Sequence, residues 1–151
     1  MTLRLEKVQT ADAADLLAWR NDPTVRALSR HQGEISWAEH CRWLERMRGD
    51  PECLFLVAWR DGQRVGVVRF NRRHDKDVWE VSITVAPAAQ GQGLGRLVLK
   101  AGIDDLRRAH PGAQVLAAVQ TGNHASAKLF QGAGFIPVPS DEACAHFLLG
   151  A

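Results

Sequence analysis

The sequence contains no tyrosine, two methionines and three cysteines in 151 residues. Cys41, Cys53 and Cys144 are odd in number and widely separated, whereas disulfide frameworks and zinc sites use closely spaced pairs. The six histidines show no His-Glu-x-x-His spacing either. We therefore expect three buried or half-buried free thiols and no metal site. The lack of tyrosine also removes one common catalytic acid.

The sequence also lacks a long apolar run and a strong charge of one sign. No segment reaches the ~18 apolar residues of a membrane span, and residues 1–7 alternate polar and apolar side chains without an apolar signal core. The formal net charge of +2 is small, whereas nucleic-acid-binding domains usually carry a clustered basic stripe. These absences predict a cytoplasmic protein that binds neither membranes nor nucleic acids.

The composition that is present suits one globular domain. Apolar residues make up 46% of the chain and charged residues 24%, a balance that fills a core and keeps a wet surface. A chain of 151 residues is long enough for one domain and too short for two. Since no linker or internal repeat interrupts it, we expect a single domain over residues 1–151.

The hydrophobic pattern predicts a mixed α/β chain with an antiparallel middle and one strand–helix–strand crossover. Asp61-Gly62 is typical of a hairpin turn, and Ser36 with Glu39 forms a capping box. Strands are predicted at residues 3–5, 54–59, 64–70, 79–85 and 115–119, and helices at residues 12–19, 37–48, 93–110 and 123–131. Residues 135–138 and a last apolar stretch, residues 145–149, follow the final helix. The expected apolar stripes are Ala14, Leu17 and Ala18 in the first helix, Trp37, Cys41, Leu44 and Met47 in the second, and Leu94, Leu97, Val98 and Ala101 in the third.

Glycines at alternate positions join a predicted strand to a predicted helix. Gly91, Gly93 and Gly95 let the backbone approach an anion, and the helix start adds unpaired N–H groups and a positive dipole end. The segment lacks the Gly-Lys-Ser/Thr of a Walker loop, and the Gly-x-Gly-x-x-Gly fingerprint fails because Arg96 or Val98 stands at its third position. The pattern indicates a phosphate or pyrophosphate site; a turn that merely reverses the chain is the alternative.

A second patch gives this loop a family context. Gln90-x-x-Gly93-x-Gly95, together with Asn123…Ala127…Leu129-Phe130…Gly134-Phe135, resembles the acetyl-CoA site of the GNAT superfamily of N-acetyltransferases. The resemblance covers residues 79–138 well and the rest more loosely. It implies a single-domain α/β GNAT-like fold. Its central sheet would be mixed and mostly antiparallel, splayed at the cofactor site after the strand that ends near Val85, and flanked by helices.

The resemblance implies where acetyl-CoA, the expected cosubstrate, would bind. The pantetheine arm would pair with the backbone near Val85, Asn123 would hydrogen-bond the inner end of that arm, and Ser126 and Phe130 would wall the site. The pyrophosphate would lie on the backbone N–H groups of Gln90, Gly91, Gln92, Gly93, Leu94, Gly95 and Arg96.

Acetyl transfer from a thioester to an amine needs a neutral amine, a held carbonyl and a proton for the departing thiolate. In many GNAT enzymes a tyrosine seven residues after the asparagine supplies that proton, and here this position is Phe130. Water, Ser126 or His124 would serve instead. A dedicated acid is dispensable if the thiolate, whose reference pKa is about 8.5, leaves unaided.

Glu80 is the candidate base, because it lies with Ser82 and Thr84 on the polar face of the strand that leads to the glycine loop. A carboxylate that faces solvent or only orients the acceptor is the alternative. Ser82 joins Glu80 in the catalytic group as a water anchor or acceptor contact. Thr84 and His74, in the loop before the strand, are predicted to contact the substrate.

The first fifty residues are expected to shape the acceptor side. Trp19-Arg20-Asn21-Asp22-Pro23-x-Val25-Arg26 and His40-x-x-Trp43-Leu44 resemble a GNAT subgroup that acetylates the 4-amino group of a UDP-linked amino sugar in pseudaminic acid synthesis. Ribosomal-protein N-terminal and polyamine acetyltransferases have a similar opening. An anionic nucleotide sugar would suit the arginine and aromatic side chains found here, which are Arg20, Arg26, Arg30, Trp19, Trp37 and His31.

Two further hypotheses concern the whole chain. Since the family's tyrosine is absent, a catalytically silent acetyl-CoA-binding module is an alternative to an enzyme. An exposed sheet edge would also allow a homodimer.

Overall fold

Seven strands form one sheet in the computed structural model, which describes residues 2–28 and 33–151. In chain order the strands are β1 (Leu3–Lys7), β2 (Cys53–Arg60), β3 (Gln63–Arg72), β4 (Val78–Val85), β5 (Gln114–Gln120), β6 (Ile136–Val138) and β7 (Cys144–Leu149). The α-helices are α1 (Ala13–Asn21), α2 (Pro23–Ala27), α3 (Trp37–Gly49), α4 (Leu94–Ala109) and α5 (His124–Gly132).

The strand order across the sheet is β1-β2-β3-β4-β5-β7-β6. The neighbours are antiparallel except β4 and β5, which are parallel and joined through α4. The predicted hairpin turn is confirmed, because Asp61 and Gly62 connect β2 to β3 with φ of +52° and +77°. The predicted fold, a mixed and mostly antiparallel sheet flanked by helices, is also confirmed.

Helices cover both faces of the sheet. On one face the ring of Trp43 in α3 meets Phe55 of β2 edge-on, with 5.4 Å between ring centroids. On the other face a Cβ built at Gly102 of α4 would lie 3.0 Å from Val68 and 3.1 Å from Phe70 of β3. The small residue therefore lets α4 approach β3 closely. Because successive side chains of a strand point to opposite faces, β3 contributes to the layers on both sides of the sheet.

The stripe predicted for the first helix is wrong. Ala13, Leu16 and Trp19 are buried in α1, whereas Ala14 and Ala18 are exposed and Leu17 is half-buried. Leu16 and Trp19 are spaced i, i+3, and facing them inward buries more apolar area than the two alanines would.

Two other large residues on predicted stripes point outward. Trp37 is 55% exposed in the first turn of α3, and Leu97 is 53% exposed in α4. Leu44 in α3 and Val98 in α4 are buried as predicted, and they share the buried sides of these helices with His40 and Leu99. The sequence analysis did not predict helix α2. Asp22 caps this helix by accepting hydrogen bonds from the backbone N–H groups of Thr24 and Val25.

The three cysteines are free thiols as predicted, with Cys144 buried and Cys41 and Cys53 half-buried. In the described part of the chain, no helix combines the length and apolar character needed to cross a bilayer.

Candidate active site

The parallel pairing of β4 with β5 ends at Val81 and Ala117. Beyond that pair, residues 82–85 of β4 are still paired with β3, and residues 118–120 of β5 are still paired with β7. The two strands therefore separate, and a cavity of about 680 Å³ opens at the gap. The separation begins inside β4 rather than after its last residue, so the side chains of residues 82–85 line the opening.

The loop between β4 and α4 lies at the mouth of this cavity. Gly91 and Gly93 have φ of +79° and +73°, the left-handed region that glycine adopts without strain. Gly93 caps α4, so the N–H groups from Leu94 onward lack helical acceptors and mark the positive end of the helix dipole. A Cβ at Gly95 would meet Leu129 at 3.6 Å, which shows how closely α4 approaches α5. This arrangement fits the phosphates of a coenzyme.

Two side chains of the loop point away from the cavity. The Gln92 Oε1 accepts a hydrogen bond from Arg60 at 2.5 Å, and the Arg96 Nη2 donates one to the carbonyl of Gly132 at 3.0 Å. Neither side chain lines the cavity. Both side chains are therefore engaged by protein groups outside the cavity lining, which the loop supplies through Gln90, Gly91, Gly93, Leu94 and Gly95. The Gln90 side chain lines the cavity and donates to the carbonyl of Val85 at 3.3 Å.

Helix α5 supplies the opposite wall. The Asn123 Oδ1 caps the helix by accepting the backbone N–H of Ser126 at 3.2 Å, so its amide nitrogen is the group that can serve a bound coenzyme. Both residues line the cavity, as does Phe130, which is 4% exposed and packs against Phe135 at 5.2 Å between ring centroids. His124 is exposed and lies outside the lining.

Glu80, Ser82 and Thr84 lie together on one face of β4 and all line the cavity. The carboxylate of Glu80 accepts a hydrogen bond from Arg73 Nη1, with 3.1 Å between Nη1 and Oε1. Sequence reasoning missed Arg73, which directly follows β3. The pair gives Glu80 a cationic neighbour while both side chains stay partly exposed.

At the other end of the cavity, Arg20 of α1 is fixed by a buried histidine. Arg20 Nη1 lies 3.0 Å from His40 Nδ1, and His40 Nε2 lies 2.9 Å from the carbonyl of Ala13. Because arginine only donates, Nδ1 accepts and Nε2 carries the proton that it donates to Ala13. Burial, with the charge of Arg20, lowers the pKa of His40 despite the opposing hydrogen bond to Ala13. The ring is therefore neutral at neutral pH.

Trp43 and Arg69 complete this end of the cavity, and sequence reasoning did not assign either to the site. The guanidinium carbons of Arg20 and Arg69 lie 4.2 Å and 5.1 Å from the centroid of the Trp43 ring. Arg69 is the cross-strand partner of Ser82, so it shares the face of the catalytic candidates. The sequence feature that could have indicated Arg69 is a single charged side chain among the otherwise apolar residues 65–70.

Several predicted contacts are not brought into the site. His74 is exposed, has φ of +48° and lies outside the cavity lining, because it turns the chain ahead of β4 while the gap opens at the far end of that strand. Arg26 and Trp37 also lie outside the lining. Arg30 and His31 fall outside the described residues. Among residues 2–28 and 33–151, no group of three or more histidine, cysteine or acidic side chains is placed to hold a metal ion.

Residues 2–136 match the family model described as an acetyltransferase (GNAT) domain. The chain is also 34% identical over 119 residues to the mycothiol acetyltransferase of Thermomonospora curvata. That alignment covers 73% of this chain and 37% of the relative, so the chain spans little more than a third of the relative's length.

Solved structures share the fold at lower identity. Spermidine N-acetyltransferase from Vibrio cholerae, in complex with CoA and spermine, has a TM-score of 0.87 at 15% identity and covers 98% of this chain and 95% of its own. The Campylobacter jejuni N-acetyltransferase PseH, in complex with acetyl coenzyme A, has a TM-score of 0.77 at 19% identity and covers 99% of both chains.

Proposed function

Because this chain belongs to the GNAT family of acetyl-CoA-dependent N-acetyltransferases, we propose that it transfers the acetyl group directly to a primary amine held beside Glu80. The observation that carries the proposal is the shared cavity. The strand gap, the glycine loop, Asn123 and Glu80 all line one space, although they come from two stretches of the chain, residues 80–95 and 118–123. A coenzyme arm in the gap would lead from the loop toward Glu80.

In the proposed step the amine nitrogen attacks the thioester carbon. The new N–C bond forms as the C–S bond breaks, and the electron pair of that bond leaves with the thiolate. Glu80 takes the proton of the amine, directly or through water anchored by Ser82, and the thiolate takes a proton from water. No enzyme nucleophile is needed, because the amine is itself the nucleophile.

For the acceptor we propose the 4-amino group of a nucleotide-linked amino sugar. The segments that resemble that GNAT subgroup contain Arg20 and Trp43, and both side chains line the cavity. Guanidinium donors and an indole wall suit a phosphorylated, ring-containing acceptor. A polyamine or a protein N-terminus is the alternative acceptor.

The experiment is release of free thiol from acetyl-CoA over a panel of amines. The panel contains UDP-linked amino sugars, spermidine and peptides with free N-termini, and the acetylated product is identified by mass spectrometry. Thiol release with a matching acetylated amine supports the proposal. Tight acetyl-CoA binding without turnover of any amine would contradict it and indicate a silent binding module.

The proposal also includes a cytoplasmic location and a homodimer. Three free thiols suit a reducing compartment. The edge strand β6 carries Ile136, which is 62% exposed and available to a second copy. Sedimentation of the wild type and of Ile136→Lys tests the dimer, which is excluded if the wild type sediments as a monomer.

A further inference from the structure

Two guanidinium groups share one indole at the acceptor end of the cavity. Arg20 comes from α1, Arg69 from β3 and Trp43 from α3, and all three line the cavity with Glu80. Trp43 is held in place by Phe55 at 5.4 Å and by the stacked ring of His40 at 6.0 Å. The two cations therefore have fixed positions on a rigid aromatic support.

Neither guanidinium has an acidic partner within ion-pair distance among the described residues. Arg20 contacts His40, which is neutral, and the Arg69 Nη1 donates to Asn71 Oδ1 at 2.5 Å. Cys53 does not supply the missing charge, because burial raises the pKa of its thiol to about 11. The nearest acid, Glu80, is paired with Arg73.

The two cations also repel each other. Burial and the charge of Arg69 both lower the pKa of Arg20, and burial lowers the pKa of Arg69. Arg64, another partly buried arginine, pairs instead with the carboxylate of Asp12 at 2.7 Å. Glu80 partly offsets the charge of Arg69, but this one carboxylate is already paired with Arg73, so a further anion beside the two guanidinium groups would be favourable.

A second cavity continues from the same point toward solvent. Arg20 and Trp43 line both cavities, and the outer one adds Arg42 and Arg46, one turn apart on α3, with Glu39. Neither Arg42 nor Arg46 forms an ion pair within residues 2–28 and 33–151. A cationic path therefore leads outward from the Trp43 ring.

We propose that the acceptor carries an oxyanion, a carboxylate or a phosphate, which Arg20 and Arg69 bind beside Trp43 while the acceptor amine faces Glu80. This inference rests on the proposed function and assigns recognition of the acceptor's anion to Arg20 and Arg69. It excludes polyamines, since a second ammonium group would meet two guanidinium groups. It makes Arg69 a specificity-determining residue.

The test compares matched acceptors that differ only in the anion. The pairs are glucosamine 6-phosphate with glucosamine, phosphoethanolamine with ethanolamine, and β-alanine with β-alaninamide. We expect the wild type to prefer an anionic member by roughly 10-fold or more in kcat/KM, the size of effect that hydrogen bonds to a charged group give. Equal use of neutral and anionic members of every pair would overturn the inference.

Arg69→Gln separates a role in recognition from a role in folding. We expect it to lower kcat/KM for the preferred anionic acceptor by about 10- to 100-fold, mainly through KM, and so to reduce the ratio of kcat/KM between the anionic and the neutral member of the pair. Arg72→Gln, on the same strand but paired with Glu52 outside the cavity, is the matched control and should retain the wild-type preference. An equal loss with both members of a pair would contradict the inference.

A binding measurement on the wild type needs no variant to fold. Inorganic pyrophosphate is titrated into protein saturated with CoA, which occupies the phosphate sites of the glycine loop. We expect binding that competes with the acceptor, and no binding to the CoA-saturated protein would contradict the inference. Arg42→Gln then distinguishes a phosphorylated acceptor from a carboxylate acceptor. An extended phosphorylated acceptor would reach Arg42 in the outer cavity and bind the variant more weakly, whereas a compact carboxylate would bind it as it binds the wild type.

Failure of this inference differs from failure of the proposed function. If the function is wrong, no amine supports thiol release. If only this inference is wrong, spermidine and other amines without an anion are acetylated as well as their anionic counterparts.

Discussion

Glu80 stands beside cations on two sides. Arg73 donates to its carboxylate at 3.1 Å, and the charge of Glu80 in turn opposes the lowering of the pKa of Arg69 by burial. A carboxylate that lines the cavity at this place can accept the proton of the amine as the nitrogen attacks.

We expect Glu80→Gln to lower kcat by roughly 10²- to 10⁴-fold, because the amide accepts no proton. The acidic limb of the pH–rate profile should move as well. Steady-state thiol release across pH measures both effects. Ser82→Ala is the companion variant, and its loss should be smaller if Ser82 only anchors water. A Glu80→Gln enzyme with nearly the wild-type rate and profile would leave the carboxylate with a structural role.

Phe130→Tyr restores the hydroxyl that many family members have at this position. We expect kcat and acetyl-CoA affinity to stay within about threefold of the wild type, since a thiolate with a reference pKa of about 8.5 leaves without a phenol. The ring is 4% exposed and packs on Phe135, so the added hydroxyl also needs a buried partner. A large gain in kcat would show instead that the native protein is impaired by the missing acid.

His40 makes the stability of the protein depend on pH. The pKa of His40 is lowered in the folded state. As pH falls below the pKa of 6.5 that the residue has in the unfolded chain, the unfolded chain therefore binds a proton that the folded chain does not yet bind. Stability is therefore fully present above that value and falls on acidification. Urea unfolding at about pH 7.5 and about pH 5.5 measures the difference.

His40→Gln should reduce the difference in the free energy of unfolding between the two pH values. It should also lower stability at the higher pH by about 1–3 kcal/mol, because the buried hydrogen bonds of His40 are altered. His124→Gln, at an exposed histidine, is the control and should keep the wild-type difference. If both variants keep it, another group is responsible.

At the scale of single elements, the strand–loop–helix from β4 to α4 was the most predictable part of the site. Alternation defined β4, the alternate glycines defined the turn, and these are local properties of the chain. The buried face of α1 was mispredicted, because small alanines satisfy the periodicity as well as Leu16 and Trp19 do. Periodicity finds a helix more reliably than it finds which face packs.

Gly93→Val tests the loop as an element. At φ of +73° a side chain is strained, and its bulk would stand where a phosphate approaches the N–H groups of α4. We expect acetyl-CoA affinity by calorimetry to fall by about 10-fold or more. Gly62→Val is the matched control, since it has φ of +77°, equally open surroundings and a place in the β2–β3 turn. Unchanged affinity in a folded Gly93→Val protein would reject this loop as the phosphate site.

At the scale of the whole molecule, one arginine links the start of α1 to the sheet. Arg64 of β3 pairs with Asp12 at 2.7 Å and with Asp15 at 3.0 Å, and Asp12 is 4% exposed. The hydrogen bond to Asp12 is the main cause that raises the pKa of Arg64. Since α1 also carries Arg20, the ion pairs of Arg64 help to position Arg20 at the acceptor end of the cavity.

We expect Arg64→Met to lower the free energy of unfolding by about 1–3 kcal/mol, because it leaves a buried carboxylate without its cation. Arg4→Met is the control, since the pair of Arg4 with Glu6 is exposed and such pairs contribute about 0–1 kcal/mol. Urea unfolding of the two variants measures the difference. Equal, small losses would show that Arg64 does not hold α1 in place.

The likeness of the glycine loop and the second patch to the GNAT family indicated an acetyl-CoA site. The sequence by itself determined the local parts of this protein, which are most strands and helices, the hairpin turn and the glycine turn. These depend on residues a few positions apart, where backbone geometry fixes what neighbours do. The tertiary structure alone decided that β4 and β5 part after Val81 and that Arg20, Trp43 and Arg69 converge. Those three residues come from separate helices and a strand, and their meeting depends on how helices pack on a twisted sheet, which no local spacing records.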